Sequence, residues 1–131
     1  MAGNAISQSL ERVAELCADP APLVYARLFE AHPGMAALFV RDVSGAVRGH
    51  MLATAIDNLL DLTDDSPIAA TLIQAERVNH ENLGVPPDVF PAFFGAMADT
   101  FRDLLGAEWT PQIDAAWAAL LERLTAAAAA A

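Results

Sequence analysis

The chain of 131 residues is long enough for one domain with a buried core, and its 55% hydrophobic content argues against disorder. Seven basic and 17 acidic residues give a formal net charge of −10, which argues against nucleic acid and anionic membrane surfaces as partners. No apolar run approaches the roughly 20 residues needed to span a bilayer. The single cysteine, Cys17, excludes an internal disulfide and a thiolate metal cluster.

Apolar residues recur at helical spacing along the whole chain, and prolines and glycines mark the joints between segments. The predicted helices span about 5–18, 22–32, 44–63, 67–83, 87–105 and 110 onward, with a further helical turn between Pro33 and Phe39. We therefore predict an all-α fold of six to seven helices, forming a single domain over residues 1–131. The alanine-rich tail, residues 126–131, is expected to fray or to extend the last helix. Residues 1–9 lack the pattern of a signal peptide, so we expect a cytoplasmic protein.

The helix predicted over residues 44–63 carries one apolar arc, and Arg48 falls near its centre, one turn before Leu52. His50 falls on the opposite, polar side. An unpartnered buried cation is costly. Arg48 therefore either extends its charged end to solvent from the start of the helix, or reaches an anion such as the carboxylate of a bound cofactor.

The helix predicted over residues 67–83 places His80 in its last turn, on the inward apolar face. A lone histidine in that position is commonly a core residue, but neutral imidazole is also a common metal ligand. No second histidine or cysteine lies at the spacing of a zinc site. A metal that needs only one protein ligand arrives already coordinated, as haem iron does.

Three stretches, in this order, resemble a known family. Residues 25–39 read YARLFEAHPGMAALF, residues 80–87 read HENLGVPP, and residues 106–111 read GAEWTP shortly before Trp117. Together they resemble single-domain bacterial haemoglobins and the globin domain of flavohaemoglobins, over nearly the whole chain. The resemblance implies a globin-like fold and haem b as the cofactor.

The resemblance also implies roles for individual residues. His80 matches the iron ligand, Phe39 the phenylalanine on the haem face, and Tyr25 the hydrogen-bond donor to the gas ligand. Counting back from His80 without gaps makes Leu52 the apolar distal residue and Arg48 the distal gate, and requires one deletion after Phe39. The alternative makes His50 the distal histidine. The full expected set of cofactor-binding residues is His80, Phe39, Tyr25, Arg48, Leu52, Val85 and Phe90.

The function implied is reversible binding of oxygen or another diatomic gas at a pentacoordinate iron. Two alternatives stay open: a nitric-oxide dioxygenase that uses an external reductase, and a haem-free globin-fold sensor or interaction module. The flavohaemoglobin family has a tyrosine ten residues after its iron-binding histidine, where this chain has Phe90. The acidic partner of that tyrosine would fall in the alanine tail. The proximal hydrogen-bond system is therefore expected to be missing, which argues against self-contained enzymatic activity.

Overall fold

The computed structural model describes residues 2–129, and side chains from residue 5 onward. The helices are α1 (Ala2–Leu16), α2 (Ala21–Ala31), α3 (Ala46–Thr63), α4 (Ala69–Asn82), α5 (Val89–Leu105) and α6 (Pro111–Ala129), with 3-10 segments at Pro33–Phe39 and Gly106–Glu108. The predicted all-α fold is confirmed for the described residues. Within the described residues, no helix has the length and apolar character required to cross a bilayer.

The helices begin and end close to the predicted breakers, with shifts of a few residues at their starts. Helix α4 begins at Ala69 and not at Pro67, and α5 begins at Val89 and not at Pro87, since a turn precedes each helix. Gly84, which has a φ of 100°, follows α4 in a conformation that side chains other than glycine rarely adopt. The chain therefore turns sharply after His80 and enters α5.

The core forms where α5 packs against α1, α2 and α6, and where α6 packs against α1 and α4. Its largest fully buried side chains include Trp117, Phe101, Met97 and Ile6. Trp117 and Phe101 meet edge to face with ring centroids 5.9 Å apart. This side of the molecule is filled by side chains, which leaves α3 and α4 as the opposite wall of the fold.

A buried hydrogen-bond chain links α6 to α1. Trp117 Nε1 donates to Ser9 Oγ at 2.9 Å, and Ser9 Oγ donates to the carbonyl of Ile6 at 2.7 Å. Ser9 is fully buried, so its hydroxyl is the group that satisfies the indole N–H in the core. The contact fixes the register between the first and last helices.

The alanine tail extends α6 as far as Ala129, while Ala130 and Ala131 lie outside the described residues. Ala128 is buried, and its carbonyl accepts a hydrogen bond from Arg77 Nε at 2.6 Å. Arg77 also pairs with Glu81 one turn later on α4. The end of α6 is thus anchored to α4, the helix that carries His80.

Replacing Ser9 with alanine removes the acceptor of the Trp117 indole and leaves a buried donor unsatisfied. We expect the free energy of unfolding to fall by about 1–3 kcal/mol, measured by chemical denaturation. Gln8→Ala, at an exposed position of the same helix, is the control and should change stability by less than about 0.5 kcal/mol. Equal stability of the two variants would contradict a stabilising role for the buried chain.

Candidate functional site

A largely apolar cavity of about 290 Å³ opens between α3 and α4 and is bounded by α2, the Pro33–Phe39 segment and the start of α5. A second cavity, of about 360 Å³, adjoins it on the side of the loop before α3. The two cavities share the lining residues Leu38, Phe39, Met51, His80 and Val85, and we call them together the slot. The slot is the concave, apolar kind of site in which cofactors bind.

His80 lines the cavity from the last turn of α4. Its Nδ1 lies 2.7 Å from the backbone carbonyl oxygen of Glu76, one turn earlier. A carbonyl oxygen only accepts, so we assign the ring proton to Nδ1, and Nε2 of the neutral ring keeps its lone pair. The edge of the Phe90 ring packs against the imidazole, with centroids 5.4 Å apart. His80 therefore has a fixed tautomer and one nitrogen available as a ligand.

Tyr25 lines the same cavity from α2, and only 2% of its surface is exposed. Its hydroxyl is buried and has no hydrogen-bond partner among the described residues. Burial raises the pKa of Tyr25 well above its usual value, with the charge of Arg48 opposing that shift and the charge of Asp42 adding to it. The hydroxyl thus keeps its proton and is an unused hydrogen-bond donor. Buried tyrosine hydroxyls normally have a hydrogen-bond partner.

The other residues that the sequence predicts on the apolar wall also line the cavity. Phe39 packs on Tyr25 with ring centroids 5.2 Å apart, and Phe90 packs on Phe94 at 5.5 Å. Val85 is positioned by its own amide, which donates to the His80 carbonyl at 2.9 Å. The structure therefore brings together His80, Tyr25, Phe39, Val85 and Phe90.

Leu52 and Arg48 were expected on the cavity wall, but neither residue lines the cavity. Leu52 is buried in the core, and the guanidinium of Arg48 is held by Asp42. The residues of α3 that line the cavity are instead His50, Met51, Thr54, Ala55 and Asn58. His50 and Thr54 stand two residues beyond the expected pair, and two residues rotate a helix face by about 200°. The gap-free count from His80 therefore selected the opposite side of α3.

Asp42 explains why an arginine is tolerated at the start of α3. Its carboxylate accepts hydrogen bonds from the amides of Val47 and Arg48 at 3.1 and 3.0 Å, and from Arg48 Nε at 3.0 Å. Arg48 Nη2 also donates to the Asp42 carbonyl at 2.8 Å. Burial opposes ionisation of this carboxylate, but these hydrogen bonds outweigh it and lower the pKa of Asp42. The guanidinium of Arg48 is thus bound to Asp42 in the loop before α3, and Arg48 is not among the residues that line either cavity.

Sequence reasoning missed Thr54 and Asn58 as members of the cavity wall, and it named His50 only as the alternative distal residue. His50, Thr54 and Asn58 follow one another at helical spacing on the face taken as solvent-facing, and His50 is exposed at the rim. Arg41 lines the adjoining cavity and makes no ion pair within the described part of the chain. The available signal was the row of polar residues opposite the apolar arc of α3. Such a row does not distinguish a helix face that is exposed to solvent from one that lines a cavity.

The residues present fit a haem. The slot presents the imidazole of His80 on α4 and that of His50 on α3, and no three histidine, cysteine or acidic side chains of residues 2–129 come together to hold a bare metal ion. A metal there would have to bring its other ligands with it. The unpartnered Tyr25 hydroxyl and the apolar lining suit a flat hydrophobic group with a small polar ligand above it.

Comparison with known proteins agrees with this geometry. The sequence is 29% identical over 114 residues to the Globin-2 A chain of Anadara inaequivalvis, which covers 80% of this chain and 76% of the relative. It is 28% identical over 108 residues to the Globin-2 B chain of the same organism, covering 76% and 72% of the two chains. Residues 23–128, from α2 almost to the end of α6, match the sequence model of the globin family. The chain belongs to the globin family, and as a globin it is a protein that binds haem and oxygen.

Proposed function

We propose that this globin reversibly binds oxygen or another diatomic gas at a pentacoordinate haem b iron, with His80 as the only protein ligand. One observation carries the proposal: the two walls of a single apolar cavity present an imidazole with a free Nε2 and a buried tyrosine hydroxyl without a partner in the described residues. The closer relationship to single-domain bacterial haemoglobins stays a prediction.

Haem iron supplies the reversible binding of a small gas, and the protein residues decide how tightly and for how long. His80 would hold the iron from one side and, being neutral, would donate its Nε2 lone pair. Phe39 would pack on a haem face, while Val85 and Phe90 would exclude water from the proximal side. Exclusion of water favours a stable ferrous protein, which a reversible carrier requires.

Tyr25 would donate a hydrogen bond to the gas ligand. Its hydroxyl retains its proton because burial raises its pKa, and it has no competing acceptor among the described residues. A net hydrogen bond contributes about 1 kcal/mol, and an unsatisfied buried donor gains more from finding an acceptor. The hydroxyl would therefore slow release of a ligand that carries partial negative charge.

The rim of the slot supports His50 as the distal gate. His50 is exposed and lines the cavity, while the guanidinium of Arg48 is bound to Asp42. The cation that suits the carboxylates of a haem is Arg41, which lines the adjoining cavity. The haem-free alternative is less well supported, because a module without a cofactor gains nothing from an open slot beside an unpartnered hydroxyl.

We expect His80→Ala to lose stoichiometric haem, because no other described residue on the cavity wall replaces the imidazole in the proximal position. The measurement is haem content by absorbance after reconstitution, with circular dichroism to verify the helical fold. His80→Gly with added imidazole is the matched rescue and should recover an axially ligated spectrum. A folded His80→Ala protein with unchanged haem content would contradict the assignment of His80 as ligand.

We expect Tyr25→Phe to release oxygen about fivefold faster, the factor that corresponds to about 1 kcal/mol. Stopped-flow displacement of oxygen measures the rate. The same substitution should leave the stability of the metal-free protein unchanged or higher, because the hydroxyl it removes has no partner within residues 2–129. An unchanged dissociation rate would show that Tyr25 does not contact the ligand.

His50→Ala and Arg48→Gln distinguish the two candidate gates. Because His50 stands at the rim of the slot, its truncation should raise the gas association rate severalfold, measured by flash photolysis. Arg48→Gln should leave that rate near the wild-type value and lower the free energy of unfolding, since it removes the Asp42 ion pair. The reverse result, a faster Arg48→Gln protein and an unaffected His50→Ala protein, would restore Arg48 as the gate.

A further inference from the structure

His80 Nδ1 lies near two oxygen atoms of the same residue. The backbone carbonyl of Glu76 is 2.7 Å away, and Oε2 of the Glu76 side chain is 3.8 Å away. Both oxygens come from the turn of α4 that precedes His80. The proton on Nδ1 therefore lies beside a carboxylate as well as a carbonyl.

The Glu76 carboxylate has no competing cation in the part of the chain that the structure describes. The nearest arginine in sequence, Arg77, is engaged by Glu81 and by the carbonyl of Ala128. Glu76 itself lines the cavity, and its side chain is 41% exposed. Its negative charge thus acts on the imidazole without being neutralised by a salt bridge to an arginine or lysine.

A negative acceptor beside the N–H of a ligating imidazole increases the basicity of the opposite nitrogen, because it stabilises positive charge that develops on the ring. The Phe90 ring against His80 excludes water from one side of this contact, which strengthens the electrostatic interaction. The resemblance leads us to expect that the tyrosine–acid hydrogen-bond system of the flavohaemoglobins is missing from the proximal side. The geometry places a different acidic group near His80, from the same helix.

We propose that Glu76 is a positioning residue for the iron ligand: the charge of its carboxylate, 3.8 Å from Nδ1 of His80, reinforces the backbone carbonyl in keeping the proton on that nitrogen and increases electron donation from Nε2 to the iron. The proposal rests on the proposed function, in which His80 binds haem iron. Its consequence is a lower reduction potential and a stronger iron–histidine bond than the imidazole alone would give.

Glu76→Gln tests the proposal, with Glu81→Gln as the matched control. Both substitutions remove one negative charge from α4 within one turn of His80, but Glu76 is half-buried and unpaired with arginine in the described residues, whereas Glu81 is exposed and pairs with Arg77. We expect Glu76→Gln to raise the reduction potential of the haem-loaded protein and to lower the iron–histidine stretching frequency of the ferrous form. Glu81→Gln should leave both near the wild-type values, and Glu76→Asp should fall between wild type and Glu76→Gln.

The metal-free protein provides a readout that does not depend on haem. Nitrogen-15 NMR of the His80 ring should show the Nδ1–H tautomer dominating in wild type and decreasing in Glu76→Gln. If wild type and Glu76→Gln both retain haem with the same potential and stretching frequency, the role of Glu76 is overturned while the proposed function stands. If the wild-type protein binds no haem, the proposed function fails. In that case, equal tautomer populations in the metal-free wild-type and Glu76→Gln proteins would also refute the effect of Glu76 on His80.

Discussion

The hydrogen bond between His80 Nδ1 and the Glu76 carbonyl is the interaction on which the site depends. It exists because α4 places the two groups one turn apart, so the helix itself favours Nδ1 as the ring nitrogen that carries the proton. With that proton fixed, Nε2 is a ligand atom before any cofactor arrives. A different tautomer would present an N–H, which cannot bind a metal.

The open slot is possible because the stability of the fold comes from the other side of the molecule. The core around Trp117, Phe101 and Met97 is filled by side chains, and the Ser9 hydroxyl satisfies the indole within it. Between α3 and α4, by contrast, an apolar space remains unfilled, and its lining loses the contacts that a packed core would provide. The Arg77 contact to Ala128 ties α4 to α6, so the helix that carries His80 is anchored although one of its faces borders a cavity.

Apolar periodicity and the positions of prolines and glycines were sufficient to predict the helices. The family resemblance was sufficient to predict that Tyr25, Phe39 and His80 line one cavity. They were insufficient for α3, because the angular position of that helix depends on how the loop after Phe39 closes. In the structure Asp42 closes it, by accepting both backbone and side-chain donors of Arg48. A carboxylate six residues before an arginine is too common a pattern to signal such a contact. An alignment error of two residues on α3 is enough to select the face that carries Leu52, which is buried in the core, and to miss the face that carries His50, which lines the cavity.

By the predicted resemblance, Phe90 and the alanine tail stand at the positions of the flavohaemoglobin tyrosine and its acidic partner, and this correspondence stays a prediction. They do not show that the proximal imidazole lacks a negative neighbour. A negative charge near Nδ1 increases the basicity of the ring, and a carboxylate can reach that nitrogen from several positions in the sequence. On a helix, the residue four places before the histidine is the nearest such position. Glu76 occupies it here, with its carboxylate 3.8 Å from the ring nitrogen. On this proposal, electron donation from His80 is tuned by a residue one turn earlier on the same helix.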